Sequence, residues 1–131
     1  MRAVASFVLD KFDATPPYRE QDGVRHNRAR IEKTFRGDIE GHSSVEMLAA
    51  QAEGGAGYVA LEHIGGTVNG RSGSFALLHI GTMAGEEQWA RWPVVPQSGT
   101  GDLRTIRGEG RIDIDAEGHH TFTLDYELDE G

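Results

Sequence analysis

Between Val24 and Leu128 apolar and polar residues alternate with a period of two, and turn signals interrupt the alternation about every ten residues. Two is the period of a β-strand, whose successive side chains point to opposite faces. Repeated over most of a chain, it predicts an antiparallel sandwich or barrel. The last hairpin shows it most cleanly. Ile112 and Ile114, then His120, Phe122, Leu124, Tyr126 and Leu128, share one face. Arg111, Asp113, Asp115, His119, Thr121, Thr123, Asp125 and Glu127 share the other. One face is expected in a core and one in water. Ala116-Glu117-Gly118 supplies the turn, with glycine where a positive φ is needed.

Two earlier hairpins follow the same rule. Around Gly37, the residues Ala29, Ile31, Lys33 and Phe35 share parity with Ile39, Gly41, Ser43, Val45 and Met47. With Gly37 central, Arg28 is expected opposite Glu46 and Glu32 opposite His42. Opposite charges paired across strands contribute about 0.2–1 kcal/mol each. The third hairpin, Gly57–Val68 with Arg71–Met83, turns at Asn69-Gly70, the strongest short hairpin signal. Both of its faces are largely apolar. Val59, Leu61, Ala76, Leu78 and Ile80 lie on one side; Tyr58, Ala60, Ile64, Phe75 and Leu77 lie on the other. Its outer face is therefore expected to be covered, by a partner subunit or by the Asp10–Asp22 segment. Arg2–Leu9 and Glu87–Val95 complete the strands, with Pro93 and Pro96 making the second irregular or an edge. One helical turn is expected at Asp102–Ile106, and Asp10–Gly23 is the longest irregular stretch. The fold expected for residues 1–131 is a single all-β domain, an eight-stranded antiparallel closed barrel. Such a barrel is either filled by its own side chains or holds one small ligand.

Composition narrows the chemistry. The 131 residues include 18 glycines, about twice the usual ~7% share, but only 4 prolines and no Gly-X-Y period. Zero cysteine excludes disulfides, thiol nucleophiles and cysteine-ligated metal. The net charge is −8, from 13 basic and 21 acidic residues, which disfavours binding to a phosphate backbone. Residues 1–37 nevertheless hold 8 of the basic residues against 5 acidic ones. A basic strand set among acidic strands accounts for this better than a nucleic-acid-binding tail. The apolar run Ala3–Leu9 is too short for a signal peptide and meets Asp10 and Lys11 at once. No stretch is apolar enough for a membrane helix. A cytoplasmic protein without membrane or nucleic-acid partners is the expectation.

Four segments carry a resemblance. KTFRGDIEG (Lys33–Gly41), GYVALEHIGGTVNGRSGSF (Gly57–Phe75), VVPQSGTGDL (Val94–Leu103) and EGHHTFTLDYEL (Glu117–Leu128) occur in one order over nearly the whole chain. Together they resemble the bacterial proteins grouped as domain of unknown function 3224. Two departures are His63, where an Arg or aromatic is expected, and Gln97, where Gly is common. The resemblance implies a small antiparallel barrel of the allene-oxide-cyclase-like type and no established activity. Cyclase activity would follow by fold analogy alone.

Lys33 and Glu62 are the residues most out of place. Lys33 sits on the apolar face of its strand between Ile31 and Phe35, and Glu62 shares parity with Tyr58, Ala60 and Ile64. Pointing inward, each needs a partner, and they suit one another. The pair is either structural or the setting for Glu62 as a general acid or base. His79 lies opposite Ala60 and diagonal to Glu62, within reach of a long side chain. It completes an acid/base candidate or a bonded core histidine. Tyr58, Phe75, Leu77, Trp92, Phe122 and Tyr126 are candidate pocket walls or simply core. His42, His63, His79, His119 and His120 form no metal-ligand spacing, and no cofactor is expected. Ser98-Gly99-Thr100-Gly101 lacks the Lys and the strand–helix context of a phosphate loop, so a turn closing one barrel end is expected.

The leading functional expectation is a barrel that binds a small apolar or amphipathic ligand. The alternatives are a cofactor-independent isomerase or cyclase using Glu62, and a structural or interaction subunit. A homo-oligomer, a dimer foremost, is expected from the two-faced apolar hairpin.

Overall fold

The computed structural model describes residues 1–129. Nine strands follow one another: β1 (Arg2–Ala14), β2 (Arg19–Gln21), β3 (Val24–Gly37), β4 (Ile39–Ala52), β5 (Gly55–Val68), β6 (Arg71–Ala84), β7 (Glu87–Pro93), β8 (Arg107–Ile114) and β9 (His120–Glu127). Eight of them pair in the ring β1-β9-β8-β7-β6-β5-β4-β3, which a β1–β3 ladder closes, all antiparallel. Closure leaves little free edge, the weakest seam being β7–β8, which pair only at Trp92–Gly110 and Pro93–Glu109. The all-β closed barrel expected from the alternation is the fold.

The ninth strand corrects one expectation. Asp10–Gly23 is not an irregular loop. β1 continues through a bulge between Leu9 and Lys11 as far as Ala14, opposite Ala29. β2 then pairs with the start of β3 across an Asp22-Gly23 turn whose residues both have positive φ. The segment therefore lies along β3 and leaves the outer face of β5–β6 open. There Val59 and Leu61 stay 45% and 57% exposed.

The first long hairpin is shifted by two residues. Arg30, not Arg28, faces Glu46, and Thr34 faces His42. The centre of the hairpin is Asp38 rather than Gly37. Asp38 is tied down from β1: its N–H donates to the Val4 carbonyl and its carboxylate accepts the Val4 N–H. The exchange of charge survives the shift. Arg30 bridges to Glu46 at 2.7 Å on β4 and faces Asp13 on β1, so the basic strand does sit between acidic neighbours.

The Asn69-Gly70 hairpin has the register its turn dictates, with φ of 47° and 82° at the two turn residues and Val68 opposite Arg71. It places Ala60 opposite His79. Where β4 meets β5, Gly41 and Gly66 approach so closely that a Cβ on either would lie 2.0 Å from a backbone oxygen. No other residue fits that crossing.

The two ends of the barrel differ. At one end the turns at Asp38 and Asn69 and the loop of residues 94–106 fold over the interior. Val94, Leu103 and Ile106 enter a continuous core with Phe35, Ile39, Ile64, Phe75, Leu77, Phe122 and Leu124. The loop is held by Ser98, whose hydroxyl donates to the Val95 carbonyl, and by Thr100, whose N–H donates to the Ser74 carbonyl. A short 3-10 turn, Gly101–Leu103, drops Leu103 inward; it starts one residue before the expected Asp102–Ile106 turn and is shorter. This is the end-closing turn expected of Ser98–Gly101. Gln97 there has φ of 66°, a conformation that suits the glycine expected at this position. At the other end no loop among the described residues covers the interior.

Candidate functional site

The open end leads into a cavity of about 530 Å³. Its walls are apolar for most of their depth: Phe7 and Leu9 from β1, Ile31 from β3, Met47 and Ala49 from β4, Tyr58 and Ala60 from β5, and Trp89 and Trp92 from β7. Apolar side chains also ring the mouth. Leu9, Met83, Trp89 and Ile114 are 42%, 45%, 51% and 63% exposed. Ile114 thus lies on the predicted face, but at a rim where no core reaches it.

Lys33 and His79 line the cavity as well, and are 5% and 6% exposed. Glu62, 1% exposed, lies behind them and does not reach it. Its carboxylate gathers three partners. Lys33 Nζ donates to Oε1 at 3.2 Å, His79 Nε2 lies 2.7 Å from the same oxygen, and Ser43 Oγ donates to Oε2 at 2.5 Å. The four residues come from four consecutive strands, β3 to β6. In the ladder Lys33 pairs with Ser43, while Glu62 and His79 are each offset by two residues from the strand before. Barrel strands tilt to the axis, so this diagonal becomes one horizontal layer. Each neighbour in this row is directly opposite or diagonal on the adjacent strand, within reach of a long side chain.

Burial pushes the Glu62 carboxyl up, but the His79 hydrogen bond, the Lys33 charge and the Ser43 hydroxyl outweigh it. The net direction is below the ordinary carboxylate value, so Glu62 is an anion at neutral pH. The Lys33 ammonium also lies 4.5 Å from the Phe7 ring centroid, where the aromatic face attracts it. The Trp92 ring stands edge-on to His79 at 6.4 Å. Trp92 Nε1 is buried with no acceptor among the described residues.

The three acid/base candidates therefore meet in one cluster. The six candidate wall residues divide. Tyr58 and Trp92 line the cavity. Phe75, Leu77, Phe122 and Tyr126 instead belong to the packed core toward the closed end, where Tyr126 Oη accepts a hydrogen bond from Asn69. They share strand faces with cavity residues, but parity does not say how far along the barrel axis a residue sits. Ser43 was missed. Its one signal in the sequence was a hydroxyl on the inward face of β4, and the pairing with Lys33 needed the true register. Met47 and Ala49 were also missed as wall residues. Among the described residues no three His, Asp or Glu side chains converge as a metal site.

Fold and site define a class: a small antiparallel β-barrel, packed at one end, with a buried Lys–Glu–His cluster beneath an apolar cavity at the other. The chain belongs to the family described as "Protein of unknown function (DUF3224)", which matches residues 3–126. The crystal structure of a protein of unknown function from the same family, from Shewanella oneidensis MR-1, is similar throughout. The two are 34% identical, with 99% of this chain and 98% of that one covered and a TM-score of 0.90. No curated protein matches the chain. No helix among the described residues is long and apolar enough to cross a membrane.

Proposed function

We propose that the barrel binds a small amphipathic molecule through its open end, apolar body against the cavity walls and polar group at Lys33 and His79. One observation carries this reading: a cavity of about 530 Å³ with apolar walls and a charged floor. Sites for small molecules have this size and composition, with a few polar groups fixing orientation. The exposed apolar rim offers the body of such a ligand its first contact. The test is titration with the neutral fluorophore N-phenyl-1-naphthylamine. Saturable enhancement with one site per chain supports the reading, provided Ala49→Trp, which fills the cavity above the cluster, removes it. Unsaturable or unchanged fluorescence sinks it.

A second reading, catalysis by an isomerase or cyclase, is favoured by the carboxylate–histidine contact. The sequence offers Glu62 as the acid/base group. Glu62 lies behind Lys33 and His79, with both oxygens engaged, which suits orienting a neighbour better than touching a substrate. For the outer face of β4–β6 we propose a second copy of the chain as the cover. Leu48, Val59 and Leu61 are all about half exposed there, with Arg28 and Glu46 beside them. A two-fold contact sets such mixed charges of one copy against those of the other.

A further inference from the structure

We propose that His79 is a catalytic base and that the barrel transfers a proton at the α-carbon of an apolar ketone. The inference deepens the binding reading and rests on it. It begins from which atom of His79 faces which side. Nε2 is held at 2.7 Å by Glu62, an anion, so Nε2 carries the proton and donates it. Nδ1 then has a free lone pair and no hydrogen-bond partner among the described residues. His79 lines the cavity whereas Glu62 does not, so the ring presents its unengaged side to a ligand. A carboxylate that fixes the tautomer of an imidazole and stabilises its protonated form is the arrangement that makes histidine a base in hydrolytic triads.

Lys33 supplies the second half of the reaction. One of its three N–H groups donates to Glu62 Oε1, and its charge rests against the Phe7 ring. Donor capacity remains for a carbonyl oxygen in the cavity. Lys33 Nζ and His79 Nε2 contact the same oxygen at 3.2 and 2.7 Å, so both side chains meet at one carboxylate and both line the cavity, where one ketone can touch the two. The α-C–H bond breaks and its proton goes to Nδ1. The bond pair becomes the new carbon–carbon double bond, and the carbonyl π pair moves onto oxygen as the Lys33 N–H strengthens its hydrogen bond. Once the Nδ1 proton has traded with solvent through the open end, return of a solvent proton or deuteron from Nδ1 to the same carbon gives exchange; delivery to a conjugated carbon gives isomerisation. Glu62 is a positioning residue in this scheme. The apolar walls keep water from weakening the fixed charges that meet the enolate. Acyl transfer fits less well, because the one hydroxyl of the cluster, on Ser43, is buried and committed to Glu62.

The probe is 2-tetralone, an apolar enolisable ketone, in deuterated buffer with loss of the α-proton signal followed by NMR. The wild-type protein is expected to accelerate exchange at least ~10-fold over the same concentration of Ala49→Trp. His79→Gln keeps an N–H for Glu62 but removes the base. It should fall to the buffer rate while 2-tetralone still displaces N-phenyl-1-naphthylamine. Displacement without exchange in the wild type, or full exchange in His79→Gln, overturns the proposal. So does a fluorophore that binds but is not displaced by 2-tetralone. A fluorophore that never binds overturns the binding reading and the proposal together. Nitrogen NMR of the wild-type protein gives a check that needs no variant: His79 should be the Nε2–H tautomer, and an Nδ1–H tautomer overturns the assignment.

Discussion

The two ends of this barrel are built from the same strands and behave as different materials. Toward the closed end, Phe35, Phe75, Phe122 and Leu124 meet the inserted Leu103 and Ile106, and every one is nearly inaccessible. Toward the open end the inward positions include Ala49, Ala60 and Gly81, which are too small to meet across the interior. Lys33, Glu62 and His79 sit at the boundary. Their position suggests why a charged cluster is tolerated. The packed end fixes the strands, and the cluster needs only internal partners below and a polarisable cavity above. The lesson is that the loop inserted at one end, and not hydrophobicity, separates core from cavity here.

The contrast breaks first if the closed end is not the source of stability. Phe75→Ala should cost about 3–5 kcal/mol, read by denaturant unfolding, because it empties a site walled by fixed neighbours. A loss below about 1 kcal/mol would show that this end is loosely packed. Next comes the boundary. Lys33→Met leaves a buried carboxylate without its ammonium partner and should cost about 3 kcal/mol, while adding Glu62→Leu should restore most of that loss. Additive costs in the double variant would mean the pair is not coupled.

The same boundary predicts a pH dependence. The folded Glu62 carboxyl is held below its ordinary value of 4.5, so as pH falls through that value the unfolded chain takes up a proton that the folded chain still refuses. Stability is fully present above the ordinary value and declines on acidification until the folded group titrates as well. Glu62→Gln should flatten this part of the profile in acid titrations followed by circular dichroism; an unchanged slope would assign the effect to other carboxylates. The smallest effect on stability belongs to the open end. Ala49→Trp should leave unfolding within about 1 kcal/mol of wild type yet abolish fluorophore binding, since it fills space without opening a core. Outside the barrel, Leu61→Asp should leave the fold intact and yield monomers by light scattering. An unchanged mass at matched concentration counts against the outer-face contact.

Much of this was legible in residue order. The parity of Lys33, Glu62 and His79 placed them on inward faces, and the Asn69-Gly70 turn fixed Ala60 opposite His79. The Gly37 hairpin was misread by two residues because its register is anchored by Asp38 to β1, a strand more than thirty positions away. β2 was invisible because three polar residues form a strand only where β3 extends past the end of β1.

By itself the sequence determined the alternation, the turns and therefore the strands, because a period of two and glycines of positive φ are local properties of the chain. It also determined that whatever chemistry exists must use Glu, Lys and His, since cysteine is absent. Only the tertiary structure decided depth. Strand tilt in a closed barrel turns a diagonal of residues into one layer, so Ser43, Glu62 and His79 meet although none lies directly opposite another. It also decided which end the loop of residues 94–106 would seal. The same inward-facing pattern thus became core around Phe75 and cavity wall around Tyr58.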